Sequence, residues 1–77
     1  MSKESDNKAR ILKEFGSRLR LARQSKGLSQ HDLANLCDME YSQVNRVELG
    51  KINTSIVNLH LFAAVLGVNP SELIDFE

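Results

Sequence analysis

The sequence predicts an all-α fold, a compact bundle of five helices, and three observations carry that expectation. Apolar residues recur at intervals of three and four along most of the chain, the period of a helix with one buried face. The periodic runs are punctuated by helix-start clusters such as Leu28-Ser29-Gln30-His31-Asp32 and Asn69-Pro70-Ser71-Glu72, and by stop signals at Gly27, Gly50 and Gly67. No stretch alternates apolar and polar residues with the β-branched enrichment of a strand.

The first helix is expected from Ala9, with Ala9, Leu12, Phe15, Leu19 and Ala22 on one face and Gly27 just past its end; residues 1–8 read as a flexible tail ahead of a single domain over 9–77. Ser29 caps the second helix at Gln30, Asp32 stands three residues on to reach back, and Leu28 is placed to pack on Leu33. Its apolar positions are Leu33, Ala34, Leu36 and Cys37. A break falls at Asp38, a residue type that tolerates left-handed backbone. The third helix runs from Glu40 or Tyr41 to Leu49, buries Val44 and Val47, and ends at Gly50. Asn53, Thr54 and Ser55 lead into a fourth, with Ile56, Leu59, Phe62, Ala63 and Leu66 buried. The fifth is brief and carries Leu73, Ile74 and Phe76.

Seventy-seven residues leave room for one small core, and 42% hydrophobic with 26% charged residues is an ordinary globular balance. Cys37 is the only cysteine, which rules out an intramolecular disulfide and a zinc set; it reads as a buried small hydrophobe. No metal, cofactor or small-molecule ligand is expected. No run approaches the roughly 20 apolar residues of a membrane span, and the polar N-terminus does not resemble a secretion signal, so a cytoplasmic location without membrane contact is expected. His31 and His60 are far apart and read as surface or packing residues, and the Ser, His and Asp residues fall at caps or isolated positions, so no enzyme is expected. The net charge is zero, but its distribution is uneven. Residues 1–26 hold eight Lys or Arg against three acids, +5, and residues 27–77 hold two against seven, −5. Lys13, Arg18 and Arg20 are most simply a solvated basic face.

The informative object is the pair of short helices joined at Asp38. Small Ala34 permits a close crossing, and Val44 and Val47 are placed to lock the next helix onto Leu33 and Leu36. Tyr41, Ser42, Asn45 and Arg46 then share the outward side of that helix. A helix fits the DNA major groove, where Arg can bond guanine twice and Asn can bond adenine twice.

At these residues the chain resembles the Cro and phage-repressor (XRE-like) family of helix-turn-helix regulators. The resemblance rests on Lys26-Gly27-Leu28-Ser29-Gln30, Leu33-Ala34, then Ser42, Val44, Val47, Glu48, Gly50 and Lys51, and finally Ala64-Val65-Leu66-Gly67-Val68. It implies a lambda-repressor-like bundle with a central helix-turn-helix, and a sequence-specific regulator, a repressor by expectation, that binds double-stranded DNA at an inverted repeat. Carried over by position, it implies base contacts from Tyr41, Ser42 and Arg46, with Asn45 a further candidate, and backbone contacts from Ser29, Gln30, Lys51 and Asn53, with Gln30 also supporting the third helix. It also implies an ion pair between Arg23 and Glu48 that sets the angle of the third helix. A homodimer is expected through Leu73, Ile74 and Phe76, an unusual apolar concentration for a terminus. Asp38 stands where the family often has glycine, Thr54 where proline is common, Leu49 where a polar or basic residue is usual, and Glu40 would face phosphates. The alternative function is a protein-interaction module, such as an antitoxin or adaptor on the same fold; the zero net charge and Glu40 speak for it.

Overall fold

The computed structural model describes residues 3–75. Its elements are α1 (Lys3–Ser25), α2 (Gln30–Leu36), α3 (Tyr41–Glu48), α4 (Ile56–Leu66) and α5 (Pro70–Ile74), with no strand among the described residues. The long α1 is the spine: α3, α4 and α5 all pack against it, while α2 packs on α3 and α4. One core joins every element, with Phe15 and Leu19 from α1, Leu33 and Ala34 from α2, Val44 and Val47 from α3, Phe62, Ala63 and Leu66 from α4, and Leu73 from α5.

The first four helices end by one device. A residue one or two positions past the last helical residue turns left-handed, and two amides fold back onto carbonyls of the last turn. After α2 the Asp38 amide reaches Asn35 at 3.2 Å and the Met39 amide reaches Ala34 at 2.9 Å, with Asp38 at φ 55°. Asp38 is the one non-glycine residue with positive φ among those described; its short polar side chain makes that conformation cheaper than most residues would find it. After α3 the Gly50 amide reaches Val47 at 3.0 Å and the Lys51 amide reaches Arg46 at 2.9 Å. Here glycine is doubly required. Gly50 has φ 73°, and a Cβ on it would lie 2.9 Å from the Lys13 Cα.

Three expectations need correction. The helix starts at Lys3 rather than Ala9, so most of the stretch read as a tail is helical. No apolar residue precedes Ala9 within it, and a solvated helical extension leaves no apolar stripe to detect. Leu36 is 60% exposed and does not underlie α3. Residues advance by about 100° each around a helix, and the buried arc of Leu33, Ala34 and Cys37 leaves Leu36 on the flank. Ile56 is 72% exposed. At the first position of α4 it lies on the rim of an open groove of about 480 Å³, shared with Ile11 and Ile74.

Gly16, in the middle of α1, explains how closely α3 can approach. A Cβ built there would stand 2.5 Å from the Glu48 carbonyl oxygen and overlap that of Val47 as well. Those are backbone atoms and cannot rotate aside. Gly16→Ala should therefore lower stability by about 1–3 kcal/mol through overpacking, although alanine is the better helix former by roughly 1 kcal/mol. A urea midpoint equal to or above that of the unsubstituted protein would show that α1 and α3 do not meet backbone to backbone.

Candidate nucleic-acid interface

The outward face of α3 is held in place by a buried polar network. Glu48 lies in the last turn of α3, and Arg23 two residues before the end of α1; each residue is only 8% exposed. Arg23 Nε donates to Glu48 Oε2 at 2.7 Å and a terminal guanidinium nitrogen donates to Oε1 at 2.9 Å, a two-pronged pair. The other terminal nitrogen donates to the Leu28 carbonyl at 2.8 Å, which ties in the linker before α2. Donation to the Glu48 carboxylate raises the Arg23 pKa above its ordinary value against the opposing effect of burial.

Gln30 extends the network to α2. Its amide nitrogen donates to Glu48 Oε1 at 2.9 Å, and its amide oxygen accepts from Asn45 Nδ2 at 3.1 Å. One carboxylate thus fixes three helices. Among the described residues, no buried side-chain nitrogen or oxygen in this region lacks a partner. The sequence reading gave Gln30 a DNA backbone contact as well as support of the third helix, and Asn45 a base contact; the structure joins the two residues to each other and leaves both half-buried.

Tyr41, Ser42 and Arg46 are exposed on α3, opposite buried Val44 and Val47. Arg46 and Lys51 have no side-chain ion pair among the described residues. Tyr41 is not isolated. Its ring stacks on that of His31 with centroids 4.0 Å apart and planes 8° from parallel, a contact that single-sequence periodicity cannot reveal. Glu40 precedes Tyr41 as the N-cap of α3 and makes no side-chain capping bond.

At the start of α2 the expected reciprocal cap forms. Ser29 Oγ accepts from the Asp32 amide at 3.0 Å, and the Ser29 amide donates to Asp32 Oδ2 at 2.9 Å. These bonds with Ser29 hold the Asp32 carboxyl below its usual range. Its contribution to stability is complete above the unfolded carboxylate pKa and disappears as pH falls through the lowered folded value. After α3, Lys51 is exposed, and Asn53 Oδ1 accepts from the Thr54 amide at 2.8 Å, which shapes the loop. Lys13 lies against this loop at Gly50, and Arg18, read from sequence as solvated, donates to the Glu72 carbonyl at 3.1 Å and helps seat α5. Burial pushes the Cys37 thiol up, as befits a packing residue.

The residues expected to form a dimer divide. Leu73 is 1% exposed and belongs to the core, so it offers nothing to a partner; Ile74 is 48% exposed; Phe76 lies outside the described residues. Sequence reasoning overlooked the outward side of α4, where Ile56, Val57 and Leu61 are exposed on a helix with no charged residue. An apolar pattern around the whole helix was the available signal.

A helix-turn-helix family model matches residues 19–73. The control protein C.BamHI of Bacillus amyloliquefaciens is 38% identical over 71 residues, which is 91% of this chain and 85% of that protein. The control protein C.MunI of Mycoplasma sp is 40% identical over 60 residues, 77% of this chain and 81% of the relative. Among solved structures, the restriction-modification controller protein C.AhdI from Aeromonas hydrophila superposes with a TM-score of 0.78 at 47% identity, covering 80% of this chain and 94% of that one.

Removing one member of the buried pair strands the other charge. Glu48→Ala should destabilise the fold by roughly 3 kcal/mol, a fall in Tm of more than about 10 °C for a domain of this size. Replacing both members, Arg23→Met with Glu48→Leu, should recover much of that loss because no charge is then left buried. Thermal melts by circular dichroism decide the matter, and an unchanged Glu48→Ala midpoint contradicts the structural role.

Proposed function

The chain belongs to the helix-turn-helix family of DNA-binding transcriptional regulators, and on that premise we propose that it reads an inverted-repeat operator through the major groove with Tyr41, Ser42 and Arg46. The observation that carries this reading is the exposed face of α3, held at a fixed angle to α1 and α2 by the Arg23–Glu48–Gln30 network. Asn45 shares the recognition helix, but its bond to Gln30 gives it a positioning part with at most a secondary base contact. Ser29 at the start of α2, with Lys51 and Asn53 after α3, holds the sugar-phosphate chains that border the groove, while Gln30, both of whose amide atoms bond inward, positions α3. The family is regulatory rather than enzymatic, and the protein acts by occupying DNA in the cytoplasm, without catalysis. Its relatives include two control proteins and, among solved structures, the restriction-modification controller protein C.AhdI, and we take control of restriction-modification genes as its setting.

One short module makes few contacts, and two related by a two-fold axis would place their recognition helices about 34 Å apart on successive turns of one DNA face. We assign the interface chiefly to α4 rather than α5. A helix surface with Ile56, Val57 and Leu61 exposed and no charge of its own suits neither a phosphate backbone nor a charged protein, and a second copy of itself is the complementary occupant. Ile74 adds to its rim across the groove shared with Ile56.

Selection from a randomised duplex pool gives the preferred site, and fluorescence anisotropy then separates base reading from backbone holding. Arg46→Ala should lose about 1–3 kcal/mol on the selected duplex and much less on random DNA. Lys51→Ala should weaken both alike and reduce the slope of log affinity against log salt by about one. Equal losses on both duplexes for Arg46→Ala would remove α3 from the role of reader. For the interface, Val57→Glu should convert a dimer to a monomer in sedimentation with the helical spectrum unchanged; an unsubstituted protein that stays monomeric at high micromolar concentration, with and without the duplex, excludes the dimer.

A further inference from the structure

We infer that His31 is a positioning residue for base recognition: its imidazole, stacked on Tyr41, fixes the plane in which that ring meets DNA and so helps set sequence preference. The inference rests on the reading of Tyr41 as a base contact. Tyr41 is the first residue of α3 and is 41% exposed, and the preceding cap, Glu40, contributes no side-chain bond to this turn. With nothing else against it, a side chain with two free torsions at a helix start would sample several orientations and would have to be ordered each time DNA bound. The imidazole removes that freedom beforehand. Centroids 4.0 Å apart and planes 8° from parallel describe face-to-face contact over the ring area.

The placement of His31 gives the contact its meaning. His31 lies in the first turn of α2, so the stack joins the first turns of the two helices that make up the helix-turn-helix. Gln30, the preceding residue, bonds inward to Glu48 and Asn45, while His31 is exposed and turns to Tyr41. Adjacent residues of α2 therefore hold three side chains of α3, Glu48 and Asn45 through Gln30 and Tyr41 through His31. A flat ring held in one plane can discriminate between base edges by shape and by its single hydroxyl, whereas a mobile one averages over them.

The test uses an optical property of the chain, which has one tyrosine and no tryptophan, so the near-ultraviolet tyrosine signal reports on this ring alone. His31→Ala should diminish the tyrosine band in circular dichroism and lower the ratio of affinities for selected over random duplex by about three- to tenfold, the worth of an aromatic stack. The urea midpoint should fall by no more than the worth of that one stack, and the salt slope should stay where it was. His31→Phe, which keeps a flat ring, should restore both band and ratio, and His31→Ala should have no further effect on selectivity in a Tyr41→Ala background. An unchanged tyrosine band in His31→Ala would overturn the inference, since the rings would not be stacked in solution. Equal weakening on both duplexes with a shallower salt slope would overturn it too, by making His31 a phosphate contact. If Tyr41→Ala alters selectivity and His31→Ala does not, the inference fails and the reading of Tyr41 stands; if Tyr41→Ala alters nothing, both fall.

Discussion

A guanidinium taken out of water needs acceptors for its fork of donors and a negative charge close by, or its burial would cost several kcal/mol. Arg23 meets that demand with atoms from two other parts of the chain, the Glu48 carboxylate and the Leu28 carbonyl. The geometry is restrictive in a way that apolar contact is not. Leucines and valines would pack acceptably over a range of small helix rotations, but a two-pronged bond at 2.7 and 2.9 Å is lost when either helix turns. Gln30 then uses the same carboxylate as its reference, so α2 inherits the alignment of α1 and α3. The orientation of the outward face of α3 follows from one acceptor group shared among three elements.

The elements whose ends carry local chemistry were legible in the sequence. Ser29 with Asp32, Glu72 reaching the Asn69 amide at 2.8 Å, and the break at Asp38 all act within three or four residues, so their consequences can be read without the fold. The Arg23–Glu48 contact, which spans 25 positions, came from resemblance to a family and could not have come from spacing. What stayed hidden depends on which side of each helix faces another. Leu36, Ile56 and Leu73 are all apolar, and single-sequence periodicity could not sort the two exposed ones from the buried one. Gly16 drew no expectation from the sequence, although an isolated glycine inside an amphipathic helix pattern is itself a clue to a close approach.

Charge is arranged so that a neutral chain need not be neutral everywhere. The basic excess belongs to residues 1–26, nearly all of them in α1, and the acidic excess to the rest, including Asp38 and Glu40 at the turn between α2 and α3. Lys13 brings part of that basic excess to the loop at Gly50, beside Lys51. An uneven distribution of this kind lets a chain of zero net charge carry a local basic surface.

The close approach at Gly16 has a consequence for the entropy of recognition. α3 is eight residues long, well short of the roughly 12–15 at which an isolated helix becomes even marginally stable in water. Its order is borrowed from α1, against whose backbone its last carbonyls rest. Melting α3 alone would uncover Val44, Val47 and the buried carboxylate together, so the helix opens with the core and not ahead of it. The disorder that a flexible segment would surrender on binding has already been surrendered by α3 when this chain folds, which leaves a complex formed through this face little beyond side-chain and rigid-body ordering to offset.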